Sequence, residues 1–191
     1  VVGSGSAAHG LDDVAEAEKA SMIVVGSERH GARRRISPGS TGERLLHGAI
    51  CPVGVAPRGF REHADAPVNR IGVSFVDTPE AHEALRFAAR LAKNTAASLV
   101  LYTVVARRAE VFSPIIGRDA EEAFLATVRE DVRAALDKAV AGLPQGVEAT
   151  EELLEGDTVD ALAALDEHEI DVLVCGSPGY GAVRPVPRGV A

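Results

Sequence analysis

The chain has 191 residues, 46% hydrophobic and 25% charged, with no tryptophan, 4% aromatics and a formal net charge of −8. That is the composition of a globular protein whose core must be built from Ala, Val, Leu and Ile. The acidic balance speaks against general nucleic-acid binding, which needs cationic neutralisation of phosphates, and no apolar run approaches the ~20 residues that span a bilayer.

Residues 10–20 carry Leu11, Val14 and Ala15 at helical spacing, and Met22–Val25 is an apolar run of strand length. A polar, basic loop follows from Ser27 to Pro38 with Arg29, Arg33, Arg34 and Arg35, then a helix over Ser40–His47 and a strand over Pro52–Ala56. Residues 58–69, preceded by Pro57 and containing Pro67, Gly59 and a charged centre, show no periodicity and read as a linker. Ile71–Val76 reads as a buried strand. Thr78 is placed to N-cap the next helix, Pro79–Lys93, with proline at the first helical position, where its fixed φ and missing N–H cost nothing. Ser98–Val105 is a strand and Asp119–Ala141 a long helix with an apolar stripe. Val147–Leu154 is a weaker acidic strand suited to a solvated edge. Helix Thr158–His168 and strand Asp171–Cys175 follow. Strands alternating with helices predict an α/β fold with an open, mostly parallel sheet and helices on both faces.

One pattern occurs twice. Met22-Ile-Val-Val-Gly-Ser27 reaches a further glycine at Gly39, and Val172-Leu-Val-Cys-Gly-Ser177 reaches one at Gly189. Gly26 and Gly176, like Gly39 and Gly189, lie 150 positions apart, and 13 positions separate the glycines within each copy. A shared offset marks a duplicated unit. Because the offset is 150 and the chain 191 residues, the expectation is the end of one unit, 1–57, then most of a second, 70–191, in a piece of a longer tandem protein. The 1–57 segment is too small to bury an adequate core alone, so it is expected to pack on the second unit through strand Pro52–Ala56.

A strand ending in glycine, a loop, then Gly39-Ser40-Thr41 opening a helix can hold phosphate. Glycine lets backbone approach, and the first helical N–H groups and the helix dipole favour negative charge. The same spacing also suits a plain strand-to-helix connection with solvated arginines. The six histidines show no metal-ligand spacing, and all but His30, in the basic loop, are read as surface residues. Cys51 and Cys175 are read as buried free thiols of a reducing cytoplasm.

Gly26, Gly39-Ser40, the helix and Cys51-Pro-Val-Gly-Val55 resemble the C-terminal half of a universal stress protein domain. Ile71-Gly-Val-Ser-Phe75 and Thr78-Pro-Glu-Ala81 are similar to that family's start. The resemblance covers nearly the whole chain. It implies a five-stranded α/β domain, a homo-oligomer or tandem pseudo-dimer, a role in stress response, and ATP or ADP (with Mg accompanying it) as ligand in those members that bind nucleotide. Carried over residue by residue, the first unit's nucleotide positions are Val25, Gly26, Arg29, Gly39, Ser40 and Thr41. The second unit's are Asp77, Thr78, Gly176, Ser177, Gly179 and Gly189. Both copies depart from the family pattern. Arg29 stands where the first copy's second motif glycine belongs, and Val190 stands where the second copy's hydroxyl belongs. The family's first strand ends in an aspartate that contacts nucleotide; here Val76 holds that place and Asp77 is one residue late. A regulatory nucleotide-binding module, a degenerate interaction module and a weak ATPase all remain open on these residues, the last without a visible general base or metal carboxylate.

Overall fold

A computed structural model describes residues 5–27, 38–63, 65–105, 118–165 and 169–177. They form two compact units, one running to Ala66 and the other spanning Pro67–Gly176.

In the first unit, helix α1 covers Ala7–Glu18 and strand β1 Ile23–Gly26, followed by helix α2 at Gly39–Leu46 and strand β2 at Val53–Ala56. Helix α1 begins earlier than its apolar spacing suggests because Ser6 caps it, its hydroxyl accepting from the His9 N–H. It ends where Lys19 turns left-handed at φ 52°. Strands β1 and β2 pair in parallel, Ile23 against Val53 through Gly26 against Ala56, in a sheet of two. The ladder partner of β2 is β1, the strand from which α2 crosses over. Ala8, Ala15, Ile23 and Leu45 make a small core, with Val25, Ala49, Cys51 and Val53 partly buried against it.

The second unit follows a short 3₁₀ turn at Phe60–His63. Its elements are β3 Arg70–Ser74, α3 Pro79–Thr95, β4 Ser98–Val105, α4 Arg118–Ala141, β5 Ala149–Glu155, α5 Thr158–Ala163 and β6 Val172–Cys175. The order in the sheet is β5-β4-β3-β6, with every pairing parallel. Helix α3 is built as its sequence dictates. Thr78 Oγ1 accepts from the Ala81 N–H, Pro79 occupies the first turn, and Ala81, Ala84, Leu85, Ala88, Ala89 and Ala92 bury one small-residue face. That flat face lets the helix lie close on β3 and β4, whose Ile71, Val73, Leu99 and Leu101 are fully buried, with Phe75, and Leu136 of α4, sealing the layer.

Two expectations need correction. Strand β6 is adjacent to β3, as expected, but it is an edge strand rather than a central one, with Leu173 and Cys175 exposed. The cysteines are likewise not both buried: Cys51 is half-buried and Cys175 exposed. Among the described residues no strand pairs beyond β6, and only its Val172 and Val174 face packs on the core, which turns Leu173 and Cys175 outward. Strand β5, with Glu151 and Glu152 exposed, is the solvated acidic edge that its sequence indicates.

Candidate functional site

Connections leave β3 for β4 on one side of the sheet, and the chain returns as β6 on the other, so the order reverses between β3 and β6. In open parallel sheets the ligand crevice lies outside the C-terminal strand ends at such a reversal. Here those ends carry Phe75–Thr78 after β3 and Gly176 after β6, brought together by the pairing of Ser74 with Cys175.

Gly176 has a concrete reason to be glycine. A Cβ there would lie 2.8 Å from the carbonyl carbon and oxygen of Glu80 and 3.0 Å from the Ala81 nitrogen, all backbone of the first turn of α3. The residue thus serves close helix–strand packing, one of the roles glycine has in such turns. Its repeat mate Gly26 has open space around the same position. The difference extends along the strands. Ile23 is buried and Val24 is 59% exposed in β1, whereas the aligned Leu173 is exposed and Val174 packs against the core in β6. Helices α1 and α2 cover the Ile23 face of β1, while α3 covers the Val174 face of β6. Two copies of one strand therefore bury opposite faces.

Beside the end of β3 lies a cleft of about 310 Å³ lined by Phe75, Val76, Asp77, Thr103, Asp131, Val132 and Ala135. Its floor is fixed by two hydrogen bonds: the buried Thr103 hydroxyl donates to the Phe75 carbonyl at 2.7 Å, and the Phe75 N–H donates to the Tyr102 carbonyl at 2.8 Å. Val76 is 59% exposed. The Asp77 carboxylate is not free. Its Oδ1 lies 2.7 Å from His82 Nε2, and the His82 ring stands edge-on to Phe75 with centroids 5.2 Å apart. A larger cleft, about 520 Å³, lies at the opposite strand ends, lined by Arg70, Ser98, Leu99, Glu148, Ala149 and Thr150. It lies at the end of the sheet away from Gly176, and the C-terminal end is where parallel sheets present ligands.

In the first unit β1 is pinned at its end by the Ser27 N–H donating to the Ala56 carbonyl at 2.9 Å. Gly39 opens α2 at φ 65°, a left-handed conformation that glycine adopts without strain. Pro38 precedes it and gives the helix no side-chain cap. Ser40 is exposed and Thr41 half-buried in the first turn. Gly42 was not among the expected site residues, yet a Cβ there would fall 2.6 Å from Pro38 Cβ and 3.4 Å from Val25 Cγ2. It lets the helix start sit down on the strand end, and the signal available for it was only a glycine at the fourth helical position. His82 was also passed over as a surface histidine. Its spacing from Asp77 is that of the residues that flank a helix start, N′ and N4, which commonly touch. Arg29 and the remaining loop arginines, Gly179, Gly189 and Val190 lie outside the described residues.

Among the described residues no group of three or more His, Cys, Asp or Glu is placed to hold a metal, and no helix is long and apolar enough to cross a membrane.

The family model described as "Universal stress protein family" matches residues 1–57 and 67–189. Universal stress protein Rv2319c of Mycobacterium tuberculosis and universal stress protein Mb2346c of Mycobacterium bovis are each 28% identical over 185 residues, covering 96% of this chain. The chain spans 63% of the length of these relatives. A solved universal stress protein from Archaeoglobus fulgidus superposes with a TM-score of 0.55 at 22% identity, over 91% of this chain and 56% of that one, a likeness of fold. With a family match spanning both units, this chain belongs to the universal stress protein family.

Proposed function

We propose that the chain is a non-catalytic stress-response regulatory module whose adenine-nucleotide element, for ATP or ADP, lies in the first unit, the second unit's counterpart being degenerate. On this reading 1–57 is the C-terminal half of one domain and 70–191 the greater part of the next, arranged in a tandem pseudo-dimer or homo-oligomer. The observation that carries the proposal is the start of α2. Gly39 turns at φ 65° directly into Ser40-Thr41, behind a proline that supplies no side-chain cap. The first-turn N–H groups and two hydroxyls are then available to a phosphate, with the helix dipole favouring its charge. Val25, Gly26 and Gly42 shape the approach to that turn. Mg²⁺, held chiefly by nucleotide phosphates and water, would arrive with the ligand.

The second unit lacks matching chemistry. Val190 replaces a hydroxyl, exposed Val76 replaces a carboxylate, and Asp77 is engaged by His82. Losing one hydrogen bond to a charged group costs roughly 1.5–3 kcal/mol, ~10- to 150-fold in affinity. The Asp77–His82 bond also favours a second reading, in which this half is an interaction module without nucleotide. Equilibrium dialysis of labelled ATP against the full-length tandem protein separates them. The proposal expects one nucleotide per chain, lost in the Ser40→Ala/Thr41→Ala double variant and kept in Asp77→Asn. No bound nucleotide would leave the interaction module standing, and loss of binding in Asp77→Asn alone would place the site in the wrong unit.

A further inference from the structure

We propose that His82 is a specificity-determining residue of the second unit: it engages one oxygen of Asp77 and so denies a nucleoside diol the paired use of that carboxylate. The inference rests on the reading of this unit as a degenerate nucleotide site, and it names the side chain responsible. In dinucleotide-binding α/β sheets a carboxylate near the ligand crevice accepts from a ribose hydroxyl. Asp77 stands at such a position, after β3, on the wall of the 310 Å³ cleft. A vicinal diol donates two hydrogens and is best met by both oxygens of one carboxylate. Asp77 Oδ1 is already bonded at 2.7 Å to His82 Nε2.

The competitor is preorganised. His82 sits in the first turns of α3, a helix fixed by the Thr78 cap, by Pro79 and by the contact of Glu80 and Ala81 with Gly176. Its ring rests edge-on against Phe75, itself buried and bonded at both N–H and carbonyl. A ligand hydroxyl must compete with this donor for Oδ1, while Phe75, Val132 and Ala135 offer an apolar stretch suited to the flat face of a base, with Thr103 and Asp131 as the other polar lining. Removing the donor returns the acceptor at little structural cost if the ring's contact with Phe75 is kept.

The test is adenosine, which carries no phosphate and so bypasses the glycine loops, titrated into the 191-residue chain and followed by backbone amide shifts. In His82→Phe, which keeps a ring against Phe75, and in His82→Leu, adenosine should bind about two- to fivefold more tightly than in the parent chain, because the displaced pair is exposed. The shifts should centre on Val76, Asp77 and Thr103, and the gain should vanish when Asp77→Asn is added and shrink for 2′-deoxyadenosine. No gain in either variant, or a gain that survives Asp77→Asn, overturns the proposal. A readout independent of ligand is the His82 ring itself. Its nitrogen shifts should report a proton on Nε2 and change with Asp77→Asn; a ring indifferent to that substitution also overturns it. Failure of the first-unit reading would appear elsewhere, as the absence of ATP-dependent shifts at Gly39–Thr41.

Discussion

Gly176 and Gly26 hold the same place in the repeat, and the same substitution should affect them very differently. Replacing Gly176 with alanine puts a methyl group 2.8 Å from the Glu80 carbonyl carbon and oxygen and 3.0 Å from the Ala81 nitrogen. These are backbone atoms of a capped helix turn, so relief requires α3 or β6 to move. Overpacking of this kind costs about 1–3 kcal/mol, or roughly 5–15 °C in melting temperature for a domain near 100 residues. The methyl returns almost nothing, because it buries little surface that water reached before. At Gly26 a Cβ meets nothing within 4 Å, so Gly26→Ala should change stability by less than about 0.5 kcal/mol. Guanidinium titrations of the two variants, with helical and near-ultraviolet signals read together, give the comparison. Equal stability of Gly176→Ala and Gly26→Ala would refute the argument that Gly176 is kept for packing on α3. The phosphate-approach role would then be its remaining explanation.

Thr78→Ala removes the cap on the Ala81 N–H at the start of α3 and should destabilise the second unit by about 1 kcal/mol, read in the same titration. Leu136→Ala empties a fully buried position of α4 against the β3–β4 layer and should cost about 2–5 kcal/mol. Tyr102 links stability to alkaline pH. Burial, with Glu152 next in effect and Arg70 opposing, raises its hydroxyl above the ordinary value. The native state therefore keeps this proton after the unfolded chain has lost it. Its contribution is whole below about pH 10 and is lost as pH rises from there through the native value. The stability difference between the parent chain and Tyr102→Phe should be flat up to about pH 9 and then move in favour of the variant. A difference that stays flat at higher pH would contradict it.

Element type was legible because the signals agreed. Alternation of apolar strands with alanine-rich amphipathic helices specifies a parallel layered sheet, and Thr78-Pro79 marks the start of α3 within a residue. Boundaries moved where a cap acted outside the apolar pattern, as at Ser6. They also moved where a ladder stopped short of its apolar run, as at Ser74, two residues before Val76, since hydrogen-bonded pairing rather than composition ends a ladder. The burial of β6 was misjudged for a physical reason. An apolar strand reads alike whether its neighbours cover one face or two, and the repeat presents both cases in one chain. At the candidate site the glycine spacing identified the turns but not their purpose. Gly176 packs on a helix, Gly39 adopts a left-handed turn and Gly42 admits a helix to a strand end, three different uses of one residue type. The Asp77–His82 bond was hidden because histidine spacing was judged for metal binding, not for contact across a helix start.

The central claim is that phosphate chemistry belongs to the Gly39-Ser40-Thr41 turn and not to the strand ends that carry Asp77 and Gly176. It is tested most directly by titrating ATP into this chain with residue-resolved amide shifts and calorimetry in parallel. The account predicts ATP-dependent shifts concentrated at Gly39, Ser40 and Thr41, with none at Asp77 or Gly176. Low-micromolar affinity with shifts at Asp77, Thr78 and Gly176 would contradict it.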